Sequence, residues 1–105
     1  MHKKLIATLL ALAAMSAGAQ ELARHNYRPP QGYVPDQATA IKIAVAVWEP
    51  IYGKERIARE TPYVVRLSGD TWVVEGSLPA LSVGGVATAE ISKKDGRILR
   101  VSHGQ

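Results

Sequence analysis

The sequence predicts an α+β fold, one kinked N-terminal helix packed on a four-stranded antiparallel sheet, from three observations. Apolar residues recur at helical spacing after Asp36 and as far as Tyr52. The period then drops to two in "PYVVRLSGDTWVVEGSL", and a second alternating stretch, "GGVATAEISKKDGRILRVSHG", surrounds an Asp95-Gly96 turn signal. A chain of 105 residues has room for one small domain around that core.

Ahead of the helix, "MHKKLIATLLALAAMSAGAQ" places Lys3 and Lys4 before an apolar run from Leu5 to Met15 and ends in Ala17-Gly18-Ala19, an A-x-A cleavage pattern. The run is about half the roughly 20 residues that a bilayer-spanning helix requires. Residues 1–19 are therefore expected to be a cleaved signal peptide, the product to be periplasmic, and no stable membrane anchor to remain. Removal of Lys3 and Lys4 leaves eleven basic against nine acidic residues, interleaved along the chain, which argues against a nucleic-acid partner. The absence of cysteine excludes a lipobox, a disulfide framework and thiolate chemistry. Residues 20–33, "QELARHNYRPPQGY", mix charges with a Pro-Pro pair and have no apolar period, so they predict an extended linker, with the domain itself at 34–105.

Asp36 is placed to cap the helix, and Ala38, Ile41, Val45, Trp48 and Tyr52 mark its apolar side. Pro50 lacks an N–H and clashes with the preceding turn, so a kink is expected there, with Pro50 opening one more turn that Gly53 ends as a left-handed cap. That geometry brings Trp48, Ile51 and Tyr52 onto the core. "KERIARET" follows as a charged connector. In the first hairpin a two-residue Gly69-Asp70 turn sets Leu67 opposite Trp72 and Val65 opposite Val74 on the inner face, joined by Tyr63, with Arg66 and Glu75 outside. In the second, a three-residue Lys94-Asp95-Gly96 loop sets Ile91 opposite Leu99, Ala89 opposite Val101 and Glu90 opposite Arg100.

The inventory of reactive side chains is thin. His25 falls in the linker and His103 at the end of the last strand, where it reads as a surface residue; the histidines have no metal-ligand spacing. Ser68, Ser77, Ser82 and Ser92 have neither a nearby histidine nor a nucleophile elbow. Glu75 and Glu90 point outward, and Glu90 has Arg100 opposite as an ion-pair partner. Trp48, Tyr52, Tyr63 and Trp72 suit a core better than a ligand pocket in a domain of this size. No catalytic residue, metal or cofactor is expected.

Taken together, the helix ending "WEPIYG" (Trp48 to Gly53), the strand "WVVEG" (Trp72 to Gly76), and Gly84-Gly85 followed by Asp95-Gly96-Arg97 resemble the immunity proteins of bacterial polymorphic toxin systems that have a nuclear transport factor 2-like fold. The resemblance runs from about Val34 to Gly104. It implies a reduced nuclear transport factor 2-like or cystatin-like roll, and a protein that binds and neutralises a cognate toxin. A periplasmic small-ligand or peptide-binding module without catalysis is the alternative, and a small hydrolase or isomerase is a third class. The resemblance locates no contact surface and sets no oligomeric state; the outer sheet face, with Arg66, Glu75, Glu90 and Arg100, is the expected toxin-binding patch. Mass spectrometry of the exported protein is expected to find Gln20 at its N-terminus, and retention of Met1 to Ala19 overturns the leader assignment.

Overall fold

In the computed structural model, which describes residues 25–79 and 82–104, helix α1 covers Gln37–Tyr52. The expected signal peptide and the start of the linker lie outside the described residues. The Asp36 side chain accepts the Thr39 N–H at 2.8 Å and so satisfies one of the orphan donors of the first turn. Hydrogen bonding to Thr39, its side chain foremost, holds the Asp36 carboxyl below its ordinary 3.8.

The buried row of α1 is Ala40, Ala44 and Trp48, all fully covered, with Tyr52 partly buried one turn on. Ala38 is exposed, while Ile41 and Val45 flank the row rather than form it. The face therefore centres on smaller side chains than the spacing suggested. The reason is the sheet beneath: two alanines let the helix backbone lie close, and Trp48 fills the wider gap.

Helix α1 does not restart at Pro50. The proline sits inside it, costing the bond to the Ala46 carbonyl only two residues before the helix ends. The interruption falls at Gly53, whose φ of 99° and ψ of 137° suit glycine but are not a left-handed helical cap. Its N–H bonds the Glu49 carbonyl, and its own carbonyl accepts the Ile57 N–H within a short helix α2, Lys54–Ala58. Because the helical phase is kept through Pro50, Tyr52 turns inward and Ile51 stays 57% exposed, contrary to the expectation for Ile51. The charged connector is thus partly helical and contributes a fully buried Ile57.

Four strands, β1 (Val64–Ser68), β2 (Thr71–Glu75), β3 (Ala87–Ser92) and β4 (Ile98–His103), form an antiparallel meander in chain order. Leu67 pairs with Trp72 and Val65 with Val74, as face parity required, with Gly69 at φ 59° in the turn. In the last hairpin Ala89 pairs with Val101 and Glu90 with Arg100, but Ile91 meets Ile98 instead of Leu99. The loop is longer than expected: Gly96 N–H bonds the Ser92 carbonyl, and the Asp95 carboxylate takes the Arg97 N–H at 3.0 Å. The register shift between Glu90 and Ile91 absorbs Leu99 as a bulge inside the strand rather than at the glycine.

Trp72, Val74, Ala87, Ala89 and Ile91 bring the inner face of the sheet to the helix row. Both indoles find acceptors: Trp48 Nε1–H reaches the Thr88 carbonyl at 3.3 Å, and Trp72 Nε1–H the Val34 carbonyl at 2.8 Å. Val34 is itself core, held in place because Tyr33 and Val34 donate their N–H groups to the carbonyls of Lys94 and Lys93. Tyr63 lies with its ring centroid 5.8 Å from that of Trp48 and donates its hydroxyl to the Ile57 carbonyl at 2.8 Å. Burial foremost, with the carboxylates of Glu49 and Glu60, raises the Tyr63 phenol above its usual value, which keeps it a donor.

Urea denaturation is expected to show Trp48→Ala losing about 3–5 kcal/mol, against about 1 kcal/mol for Trp72→Phe, which keeps most of the volume and loses one hydrogen bond. The lowered Asp36 carboxyl gives stability that is present above its ordinary value and is lost as pH falls through its lowered one. Asp36→Asn, which still caps, is expected to flatten that acid limb in a pH series of melting temperatures, and an unchanged limb counts against the cap.

Candidate functional site

Register places the four strand charges singled out from the sequence on one face, away from α1. Arg66, Val73, Glu90 and Arg100 form a row across all four strands, and Glu75 lies in the adjoining row between Val64 and Thr88. Arg100 Nη1 is 3.7 Å from Glu90 Oε2, and its side chain is 68% exposed, so the pair is worth at most a few tenths of a kcal/mol. Arg66 and Glu75 form no ion pair among the described residues. The row is a solvated, mixed-charge surface with Val73 covered at its centre.

A more constrained cluster lies at the end of the sheet beside α2. Glu60, just past α2, is 5% exposed. Its Oε1 accepts the Ala87 N–H at 2.7 Å, its Oε2 lies 2.9 Å from His103 Nε2, and its carbonyl accepts the Ser77 N–H at 2.7 Å. One residue therefore ties α2 to the end of β2, the start of β3 and the end of β4. Gly76 is needed for this, because a side chain there would run into the Glu60 carboxylate. Gly85 meets the backbone of Gly104 so closely that a Cβ would collide with it. His103 is partnered, not a loose strand end: its side chain is 12% exposed, its Nδ1 faces the Gly104 carbonyl at 3.0 Å, and the Tyr52 ring lies 5.1 Å away between centroids.

Between this clasp and the loop after β2 runs an open groove of about 280 Å³, bordered by Arg56, Arg59, Leu78, Ser82 and Val83. Ser82 shares it with His103 and Glu60, a set that suggests nucleophile, base and acid. The geometry disagrees. Both ring nitrogens of His103 face other oxygens, Glu60 Oε2 and the Gly104 carbonyl, both oxygens of Glu60 are occupied, and no hydrogen bond joins Ser82 to the imidazole. The groove presents two exposed guanidiniums without ion pairs among the described residues, beside Leu78 at 46% and Val83 at 100% exposure. A second hollow of about 470 Å³ lies between Asn26–Tyr33 and the Lys94-Asp95 turn.

Sequence reasoning missed Glu60 because it stands in a run of charges. Ile57 and Glu60, three apart, were the available hint of one buried helical edge in that run.

A helix on a four-stranded meander, carrying a charged and apolar groove at one end of the sheet, defines a small α+β domain. The chain belongs to the family described as NTF2 fold immunity protein, which it matches over residues 39–105, from the first turn of α1 through β4. It is also similar to two Escherichia coli K12 proteins: YhhH, 37% identical over 73 residues and 69% of this chain, and YbbC, 38% identical over 71 residues and 67% of this chain. The matched stretch spans 58% of the length of each. No solved structure matches the chain.

Glu60→Ala leaves the Ala87 N–H and His103 without their acceptor, and Gly76→Ala displaces the same carboxylate; each is expected to cost about 1–3 kcal/mol in urea denaturation. The pair Glu60→Ala and Gly76→Ala combined should cost less than the sum of the two, since both remove one interaction. Additive losses refute the shared clasp.

Proposed function

We propose that the protein neutralises a cognate toxin by direct binding in the periplasm and performs no catalysis itself. Family membership supports the immunity role, and the leader pattern of residues 1–19 supports export. Among the described residues no helix is long and apolar enough to cross a membrane. The engagement of both Glu60 oxygens and both His103 nitrogens supports a binding rather than a reacting site.

The observation that carries the contact surface is the juxtaposition in the groove of Arg56 and Arg59 with the exposed Leu78 and Val83. Arginine is enriched among the energetic centres of protein interfaces, the exposed aliphatics offer apolar surface for a partner to cover, and both oxygens of the one groove carboxylate already have partners within the chain. The occupant is therefore an acidic, partly apolar segment of the toxin. The outer face is a second surface for the same partner, favoured by Arg66 and Glu75, the charges left without ion pairs there.

Co-expression in the periplasm with the toxin encoded by the neighbouring gene, scored by survival and pull-down, tests the reading. Arg56→Glu with Arg59→Glu is expected to weaken the complex by about 2–5 kcal/mol and abolish protection while the fold stays intact. Charge reversal at Glu75, Glu90 or Arg100 is expected to have the smaller effect of rim charges, about 1 kcal/mol or less. A larger loss from the outer-face changes transfers the contact to that face. Survival without any physical complex defeats the binding mechanism.

A further inference from the structure

The two edges of the sheet are not equivalent. Strand β4 is interrupted by the Leu99 bulge and fastened at its end through His103, whereas β1 is regular along its whole length. An edge without a bulge or proline is a template for another strand.

Hydrogen-bond phase identifies which groups of β1 are available. Gly76 N–H bonds the Ala87 carbonyl, so the even-numbered residues of β2 direct their backbone groups toward β3, and Thr71, Val73 and Glu75 direct theirs toward β1. Their partners Ser68, Arg66 and Val64 are consumed by that pairing. The N–H and C=O groups of Val65 and Leu67 therefore point away from the sheet, with no acceptor or donor among the described residues. Apolar surface accompanies them: Val64 is 58% and Leu67 47% exposed, on opposite faces of the strand.

We infer that β1 pairs antiparallel with β1 of a second copy of this chain, centred on Val65. Any residue-centred pairing keeps the outward groups in phase, but centring on Val64 runs Leu67 past the other strand to the partner's Thr61, and centring on Ser68 runs Leu67 into the partner's turn. Centring on Arg66 sets two guanidiniums against each other, and centring on Leu67 drives Val65 into the Gly69-Asp70 turn of the other copy. Centring on Val65 places Val65 against Val65 of the partner subunit, Leu67 against the partner's Tyr63, and Val64 against the partner's Arg66. All inner-face residues then stay on the inner face. Charge also matches across the seam. On the outer face the row reads Glu75, Val64, then the partner's Arg66, so each guanidinium faces, across one intervening strand, a carboxylate that has no ion pair in its own subunit. Two strand spacings are about 9–10 Å, which the long Arg and Glu side chains bridge together.

Sedimentation of the exported protein without toxin tests this. A concentration-dependent dimer is expected. Val65→Pro removes an outward N–H, at a position where an edge strand tolerates proline, along with part of the Val65 packing on the core, and Arg66→Glu sets carboxylates together while leaving the inner face intact; each is expected to weaken the dimer at least about tenfold, with the strand and helix content of the monomer's circular dichroism retained. Arg66→Glu combined with Glu75→Arg restores the charge match and is expected to restore dimerisation. A wild-type protein monomeric up to hundreds of micromolar overturns the inference, as does a dimer indifferent to both single changes. A monomer that loses toxin capture through Val65→Pro overturns it in favour of a toxin strand on this edge.

Discussion

The Glu60 carboxylate is the interaction on which the open end of the fold depends. A meander of four strands closes at its hairpin turns by local chemistry, but nothing local joins the far ends of β2, β3 and β4 to the helices. Glu60 does so with one oxygen on the Ala87 N–H and the other on His103, while its main chain takes Ser77. A buried carboxylate is costly unless its lone pairs are filled, and here each oxygen has a partner. Gly76 keeps a side chain out of its way, and the close approach of Gly85 to Gly104 brings β4 near enough for His103 to reach.

The core complements this clasp from the other end. Trp48 and Trp72 supply large apolar surfaces, and each indole N–H is satisfied by a main-chain carbonyl, so neither leaves a buried donor unpaired. Through Trp72 the residues before α1 enter the fold, since Val34 is at once an apolar core residue and the acceptor. The helix is held by the sheet along its alanine row and by the two tryptophans near its ends. The same arrangement leaves uncovered the surfaces proposed for recognition: α2 and the loop after β2 on one side, the outward face and the β1 edge on the other.

These constraints consume some side chains and leave others free, and the proposed function rests on that division. The histidine and glutamate that a reaction could have used are taken up in holding the chain together, while arginines and aliphatic side chains around them stay open to solvent. The division suits the proposed binding role, because an interface can then vary in composition without loosening the framework beneath.

By itself the sequence determined the order of elements, the helix cap at Asp36, the Gly69-Asp70 hairpin and the pairings Leu67–Trp72, Val65–Val74, Ala89–Val101 and Glu90–Arg100. These depend on period, parity and turn chemistry, which act between near neighbours in the chain. Family membership was also legible there, carried by motifs along the helix and strands. Tertiary structure alone decided that α1 runs through Pro50 and stops at Gly53, that alanines rather than isoleucines form the buried row, and that the extra residue of the last hairpin is Leu99. Each is a choice among locally tolerable options, settled by how closely helix and sheet must approach. The Glu60–His103 clasp was the least legible, because its partners are 43 residues apart and their burial depends on three segments converging, which no local pattern records.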